Sequence, residues 1–252
     1  MSIVILKSTV ASIIAILLTL LARILFHTQD FIVDVGGLGA FVTVFGTLYG
    51  IMAAFVVFEV WGQYNTTSEL IDSEAAGLER MYRMTLYLND KQVEKSMKAV
   101  IAKYANLVIK GKFSKLGTAM RNPETGKVFR EIFAVIRSIK FDDKRDPTVF
   151  PMLVEQGGKL SDTRVKRLNQ SMTRLPRILK MFFYSSSLFV LLTFLIMPFA
   201  QIGFQIFITS VITFLIFLTI QLVEDLDNPF IGHFNPTPEP FERALRHIEE
   251  DY

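Results

Sequence analysis

Apolar residues run almost unbroken through four stretches of this chain: Ile3–Phe26, Val35–Trp61, Met181–Ala200 and Gly203–Val223. Each reaches the roughly 20 residues that cross about 30 Å of hydrocarbon, so four membrane-spanning helices are predicted. Lys7 and Arg23 lie near the ends of the first, where long side chains reach the interface. The second is long enough to tilt or to project from the bilayer. Only Gln201 and Ile202 separate the last two, which read as a tight hairpin. Pro198 is tolerated near that turn, because a helix end has unpaired backbone groups in any case.

Between the second and third stretches the pattern changes to apolar positions three and four apart among charges. Leu70, Ile71, Ala75, Leu78, Met81, Tyr82 and Leu88 form such a face over Ser68–Leu88. Nothing from Glu59 to Leu88 breaks a helix strongly, so the second span is expected to continue through it. Lys91–Lys110 repeats the pattern, after a turn and N-cap at Asn89-Asp90. Asn122-Pro-Glu-Thr-Gly126 reads as a turn, and Gly126–Phe141 as a third amphipathic helix. A loop with Asp146-Pro147 and Pro151 is expected next, then a basic helix over Asp162–Leu175. No strand-like alternation of useful length occurs, and the fold class predicted is all-α. It comprises four transmembrane helices (1–61 and 181–223), a helical domain (62–180) and a C-terminal tail (224–252).

Composition supports the membrane reading: 51% of the 252 residues are hydrophobic and the mean hydropathy is +0.38. Charge then orients it. Residues 62–180 hold 23 Lys/Arg against 13 Asp/Glu, whereas Thr28–Asp34 has neither Lys nor Arg. By the positive-inside rule the middle domain and both termini are cytoplasmic, which implies a multi-pass protein of the cytoplasmic (inner) membrane. The tail has eight acidic residues against Arg243 and Arg246, and is expected to pair with the basic middle or with a neighbouring subunit. His27-Thr28-Gln29 lacks a small-x-small cleavage pattern, so the first segment is read as retained.

Enzymatic chemistry finds no foothold. The chain has no cysteine, so disulfide and thiolate chemistry are excluded. His27, His233 and His247 are far apart and none has a metal-ligand spacing. Gly126-Lys127 fails as a phosphate loop, because Arg121 and Val128 stand where Gly and Ser/Thr are required. Gly-x-Ser-x-Gly is absent. We therefore expect no catalytic residue, no metal site, no cofactor and no enzyme activity. The basic middle is read as contacting anionic lipid or concentrating anions at a pore mouth, not as binding nucleic acid.

The second span carries the most specific information. Gly36, Gly39, Ala40, Thr43, Gly46, Thr47, Gly50 and Ala54 fall on one side; Phe41, Phe45, Leu48, Met52, Phe55 and Phe58 fall on the other. Gly46-x-x-x-Gly50 is a helix-packing motif. The same side, presented by several copies, could instead line a pathway, with the bulky residues toward lipid or the first span. Arg23 is expected to pair with Asp30 or Asp34, and Ser185-Ser186-Ser187 to bond back to its own helix.

Two local patterns carry a family resemblance. Trp61-Gly-Gln63-Tyr64 ends the second span and leads into Glu69…Glu74-Ala-Ala-Gly-Leu78. Gln221-Leu-Val-Glu-Asp-Leu-Asp-Asn228-Pro229-Phe230-Ile-Gly232 follows the last span. With the span layout and Pro236…Tyr252, these resemble bestrophins, and more closely the bestrophin-like bacterial membrane proteins. The resemblance implies a homo-oligomer, usually a pentamer, whose second span surrounds an axis conducting chloride- or bicarbonate-type anions. Counting from Trp61 places the family's narrow section near Thr43, Thr47 and Ile51, with Gly50 and Ala54 on the same side. Two threonines stand there where the family has bulky apolar residues. The bestrophin acidic run after Asn-Pro-Phe is replaced by Ile231-Gly-His-Phe-Asn-Pro-Thr-Pro, which argues against calcium gating. Glu224, Asp225 and Asp227 are assigned to ion pairs with the middle domain. The partners expected are thus the lipid bilayer, further copies of the chain and small inorganic anions. A non-conducting membrane scaffold that binds a protein partner is the alternative reading.

Overall fold

A computed structural model describes residues 2–28, 34–111, 123–140, 147–231 and 234–250. Asp30, Asn122, Phe141, Asp146, Gly232, His233, Asp251 and Tyr252, used in the sequence reading, lie outside these. The described residues form helices and no strands: α1 Ser2–Phe26, α2 Val35–Leu86, α3 Lys91–Gly111, α4 Pro123–Ser138, α5 Val149–Gln170, α6 Arg177–Ile196, α7 Ile202–Asp227 and α8 Glu239–Glu250. Four of them, α1, α2, α6 and α7, are long and apolar enough to cross a membrane.

Two compact units divide the chain, Met1–Gly62 with Arg174–Asp227 and Gln63–Thr173 with Asn228–Tyr252. Each is interrupted in sequence by the other, and α2 contributes to both. In the first unit α1 packs chiefly on α7, and α6 touches both. Buried polar groups knit these apolar helices together. Ser12 donates to the Ser210 carbonyl at 3.2 Å, and the Gln221 amide donates to the Ser8 hydroxyl at 2.8 Å. Such bonds hold helices that gain little from burying one hydrocarbon surface in another.

In the second unit α3 packs on α4 and α8, and α4 meets α5. Tyr82, Tyr104, Met97, Ile132, Leu153 and Phe241 are almost wholly buried in one cluster. The turn before α3 is built as its sequence predicts. Asn89 takes a φ of 52°, accessible to asparagine. The Asp90 carboxylate then accepts the backbone N–H groups of Gln92 and Val93 at 2.9 and 3.2 Å.

Three element predictions need correction. Pro123-Glu-Thr-Gly126 is the first turn of α4, since proline fits a first helical position whose N–H has no intrahelical partner. Helix α5 begins at Val149, well before Asp162, and it includes Pro151 and the pair Gly157-Gly158. Pro151 sits in the first turn, where it costs no hydrogen bond. Gly157 is a packing residue: a Cβ there would lie 3.2 Å from the Phe133 ring and 3.5 Å from Met81. The tail, read only as acidic, contains α8, which buries Phe241, Ala244 and Ile248. Its polar contacts run in both senses: Asp227 takes Lys180, as expected of an acidic tail beside a basic stretch, and α8 adds pairs of the opposite sign. Basic groups of the tail, Arg243 and His247, meet Asp72 and Glu79 at 3.3 and 3.2 Å.

Candidate functional site

Within the first unit, residues 35–62 of α2 meet α6 along one edge. The Tyr49 and Ser187 hydroxyls are 3.0 Å apart. Phe41 and Phe45 stack on each other and meet the Phe189 ring edge-on, with centroids 6.0 and 4.9 Å away. Val56 and Val60 are buried. The bulky side of α2 is therefore split. Phe41 and Phe45 pack on α6, not on the first span, while Leu48, Phe55 and Phe58 remain exposed. The reason is that α1 is already occupied by α7.

The three residues expected in the narrow section lie with Gly50 and Ala54 on one exposed side. Thr43, Thr47, Gly50, Ile51 and Ala54 are all exposed. A Cβ built at Gly46 or Gly50 would meet no atom of the described residues within 4 Å, and Gly46 borders a small space shared with Val190, Thr193 and Phe194 of α6. The threonine hydroxyls donate inward, Thr43 to the Gly39 carbonyl at 2.9 Å and Thr47 to the Thr43 carbonyl at 2.8 Å. What they show outward is a methyl group and an oxygen lone pair. Donating to an anion requires the hydroxyl proton to swing away from the helix. Ala54 also lines an open groove of about 540 Å³ with Phe58, Trp61 and Thr219.

At the start of α2, Asp34 accepts the Gly37 N–H at 2.8 Å as an N-cap. A Cβ at Gly37 would collide with that carboxylate. Of the two expected partners, Asp30 lies outside the described residues, and no bond from Arg23 to Asp34 is among those described. Arg23 donates to the Phe199 carbonyl at 3.0 Å and to Gln205 Oε1 at 2.9 Å, so the α6–α7 turn binds the guanidinium. Ser185, Ser186 and Ser187 bond back to the Phe182 and Phe183 carbonyls, as expected.

The motif residues distribute as follows. Trp61 is exposed, and Gln63 and Tyr64 are half-buried. Asn228 is half-buried and forms a turn with Ile231, while Phe230 enters the core of the second unit. Two of the acidic residues before the motif, Asp227 and Glu224, bond within the first unit. Asp227 accepts the Leu175 N–H at 2.6 Å and the Lys180 ammonium at 2.5 Å. Glu224 accepts from Tyr184 at 3.3 Å. Lys180 belongs to the 62–180 stretch, but it sits on α6, beside the end of α7.

A buried ionic cluster in the second unit escaped the sequence reading. Glu74 is fully buried, and its carboxylate accepts from Arg167 Nε at 2.6 Å and Nη2 at 3.2 Å. The Tyr104 hydroxyl donates to it at 2.5 Å and accepts from Arg164 Nε at 3.1 Å. Burial pushes the Tyr104 phenol well above its ordinary pKa, and the Glu74 charge adds to that. Burial alone would lower the Arg167 value, but Glu74 more than offsets it and the guanidinium is held charged. The signal was available: Glu74 lies three residues past Ile71 and four before Leu78, within an apolar stripe. Among the described residues no group of three or more His, Asp or Glu is placed to hold a metal ion.

The family model described as a Bestrophin-like domain matches residues 8–241. The chain belongs to the bestrophin-like family. A bacterial bestrophin homolog from Klebsiella pneumoniae superposes with a TM-score of 0.68, at 12% identity over 98% of this chain and 96% of that one. A single-residue variant of that homolog gives 0.71 at 13% identity, covering 97% and 99%. No curated protein matches the chain. At these identities the likeness establishes a bestrophin fold, in a membrane protein with four apolar helices. It does not carry over residue roles.

Proposed function

We propose that this bestrophin-like protein is a homo-oligomeric channel permeable to small anions of the chloride or bicarbonate class, with α2 from each copy lining the pathway. One observation carries the reading: Thr43, Thr47, Gly50, Ile51 and Ala54 form an exposed side of α2, no described residue fills the space beside Gly46 or Gly50, and the opposite edge packs on α6. A ring of copies, a pentamer by family analogy, would turn that side toward a shared axis. Threonine oxygens and the Ile51 side chain would form the narrow section. The basic excess of residues 62–180 would raise anion concentration near the entrance. The same excess supports a cytoplasmic-membrane protein with both termini inside.

The deciding experiment is reconstitution in proteoliposomes with a chloride gradient. The expected result is a flux that follows anions and not potassium. Tight liposomes with no flux across a range of voltage and pH would overturn the proposal. Cysteine crosslinking at Thr47 adds a geometric check, since crosslinks between copies are expected if α2 surrounds an axis.

A further inference from the structure

Helices α2 and α5 border a half-open polar groove of about 400 Å³ in the second unit, and Arg80, Lys159, Asp162 and Lys166 on its rim are exposed. Its shape follows from helical spacing. On α2, Ser73, Ala76, Gly77 and Arg80 recur at three- and four-residue steps, so small side chains open the space and one arginine closes it. The helices touch at its floor, where a Cβ on Gly77 would lie 2.9 Å from Leu160 Cδ1. On α5, Gln156, Lys159, Thr163 and Lys166 follow the same spacing and form the facing wall.

Two features of this groove suit a ligand. Arg80, Lys159 and Lys166 converge on it against one lining carboxylate, Asp162. Lys159 pairs with Glu155 at 2.6 Å, but Arg80 and Lys166 make no ion pair among the described residues. The second feature is Gln156, only 6% exposed, with no hydrogen-bond partner among the described residues. Its Nε2 lies 3.8 Å from the position of a Gly77 Cβ, at the groove wall. The carboxamide thus keeps its donor and acceptor free for a ligand in the space it faces.

We infer that this groove binds a soluble phosphate-type oxyanion. Arg80 and Lys166 supply charge-assisted donors, and the Gln156 amide supplies a buried neutral donor. Asp162 accepts from the one protonated oxygen that monohydrogen phosphate carries and sulfate lacks. The site lies wholly within the second unit, and the inference does not rest on the channel reading.

The test uses the full-length protein in detergent, with inorganic phosphate as probe and ionic strength matched by chloride. Thermal unfolding and titration calorimetry should show stabilisation and binding by phosphate, about tenfold stronger than by sulfate. Arg80→Gln with Lys166→Gln should weaken phosphate binding about tenfold or more. Gln156→Leu should weaken it several-fold without lowering the melting temperature of the phosphate-free protein. Glycerol 3-phosphate distinguishes the sources: tighter binding than phosphate indicates a phosphorylated metabolite, and weaker binding indicates the free anion. An equal response to sulfate, no response to phosphate, or unchanged binding by the variants overturns the inference. Channel flux enters none of these readouts.

Discussion

Arg167 Nε lies 2.6 Å from Glu74 Oε2, with 4% and 0% of the two side chains exposed, so neither charge has water to fall back on. Removing one partner of such a pair leaves the other buried and uncompensated. Glu74→Gln is expected to cost about 3–5 kcal/mol. Replacing both, as Glu74→Leu with Arg167→Met, should cost less than the single change, because no lone charge remains. Chemical unfolding of the detergent-solubilised protein measures both. A Glu74→Gln protein as stable as the parent would show that the pair carries no such weight.

Tyr104 makes this cluster sensitive to alkali. Its pKa is raised in the folded protein by burial and then by Glu74, while an unfolded tyrosine titrates near about 10. The stabilisation is thus complete below about pH 10, and is lost above it as the unfolded chain, but not the folded one, gives up the proton. Tyr104→Phe should melt lower at pH 8, since the bond to Glu74 is gone, yet fall less between pH 9 and 11. Parallel melting curves for the two proteins across that range would refute the assignment.

Asp227 anchors the end of α7 by accepting both the Leu175 N–H and the Lys180 ammonium. Asp227→Asn keeps an acceptor for the amide but loses the charge, whereas Asp227→Ala loses both. We expect Asp227→Ala to cost about 1.5–3 kcal/mol, with Asp227→Asn between it and the parent. Thermal unfolding in detergent gives the order, and an asparagine variant as damaged as alanine would put the whole effect on charge.

In the proposed α2-lined pathway, a carboxylate at Thr47 would repel anions in a narrow, poorly screened passage. Thr47→Asp should reduce chloride flux about tenfold or more, and Thr47→Ser should change it little. Lysine at the same position should restore anion preference. Flux indifferent to all three substitutions would remove this side of α2 from the pathway.

How much of this was legible in the sequence depends on the range of the interactions involved. The four apolar stretches, the Asn89-Asp90 cap and the serine back-bonds rest on neighbours within one or two helical turns, and the structure has them where the residues predict. Helix α5 was read short because Pro151 and Gly157-Gly158 are breakers by local propensity. Whether Gly157 breaks a helix or admits Phe133 against it depends on a residue of α4, which no local window contains.

The sequence alone determined the class and layers of the molecule: apolar run length decides which helices suit hydrocarbon, and helical periodicity decides the rest. Partner choice was left to the tertiary structure. Arg23 binds the α6–α7 turn, Phe41 and Phe45 go to α6, and Glu74, Tyr104, Arg164 and Arg167 meet from three helices. Each of these is a choice among groups with similar chemistry, and the packing of distant helices decides which of them meet.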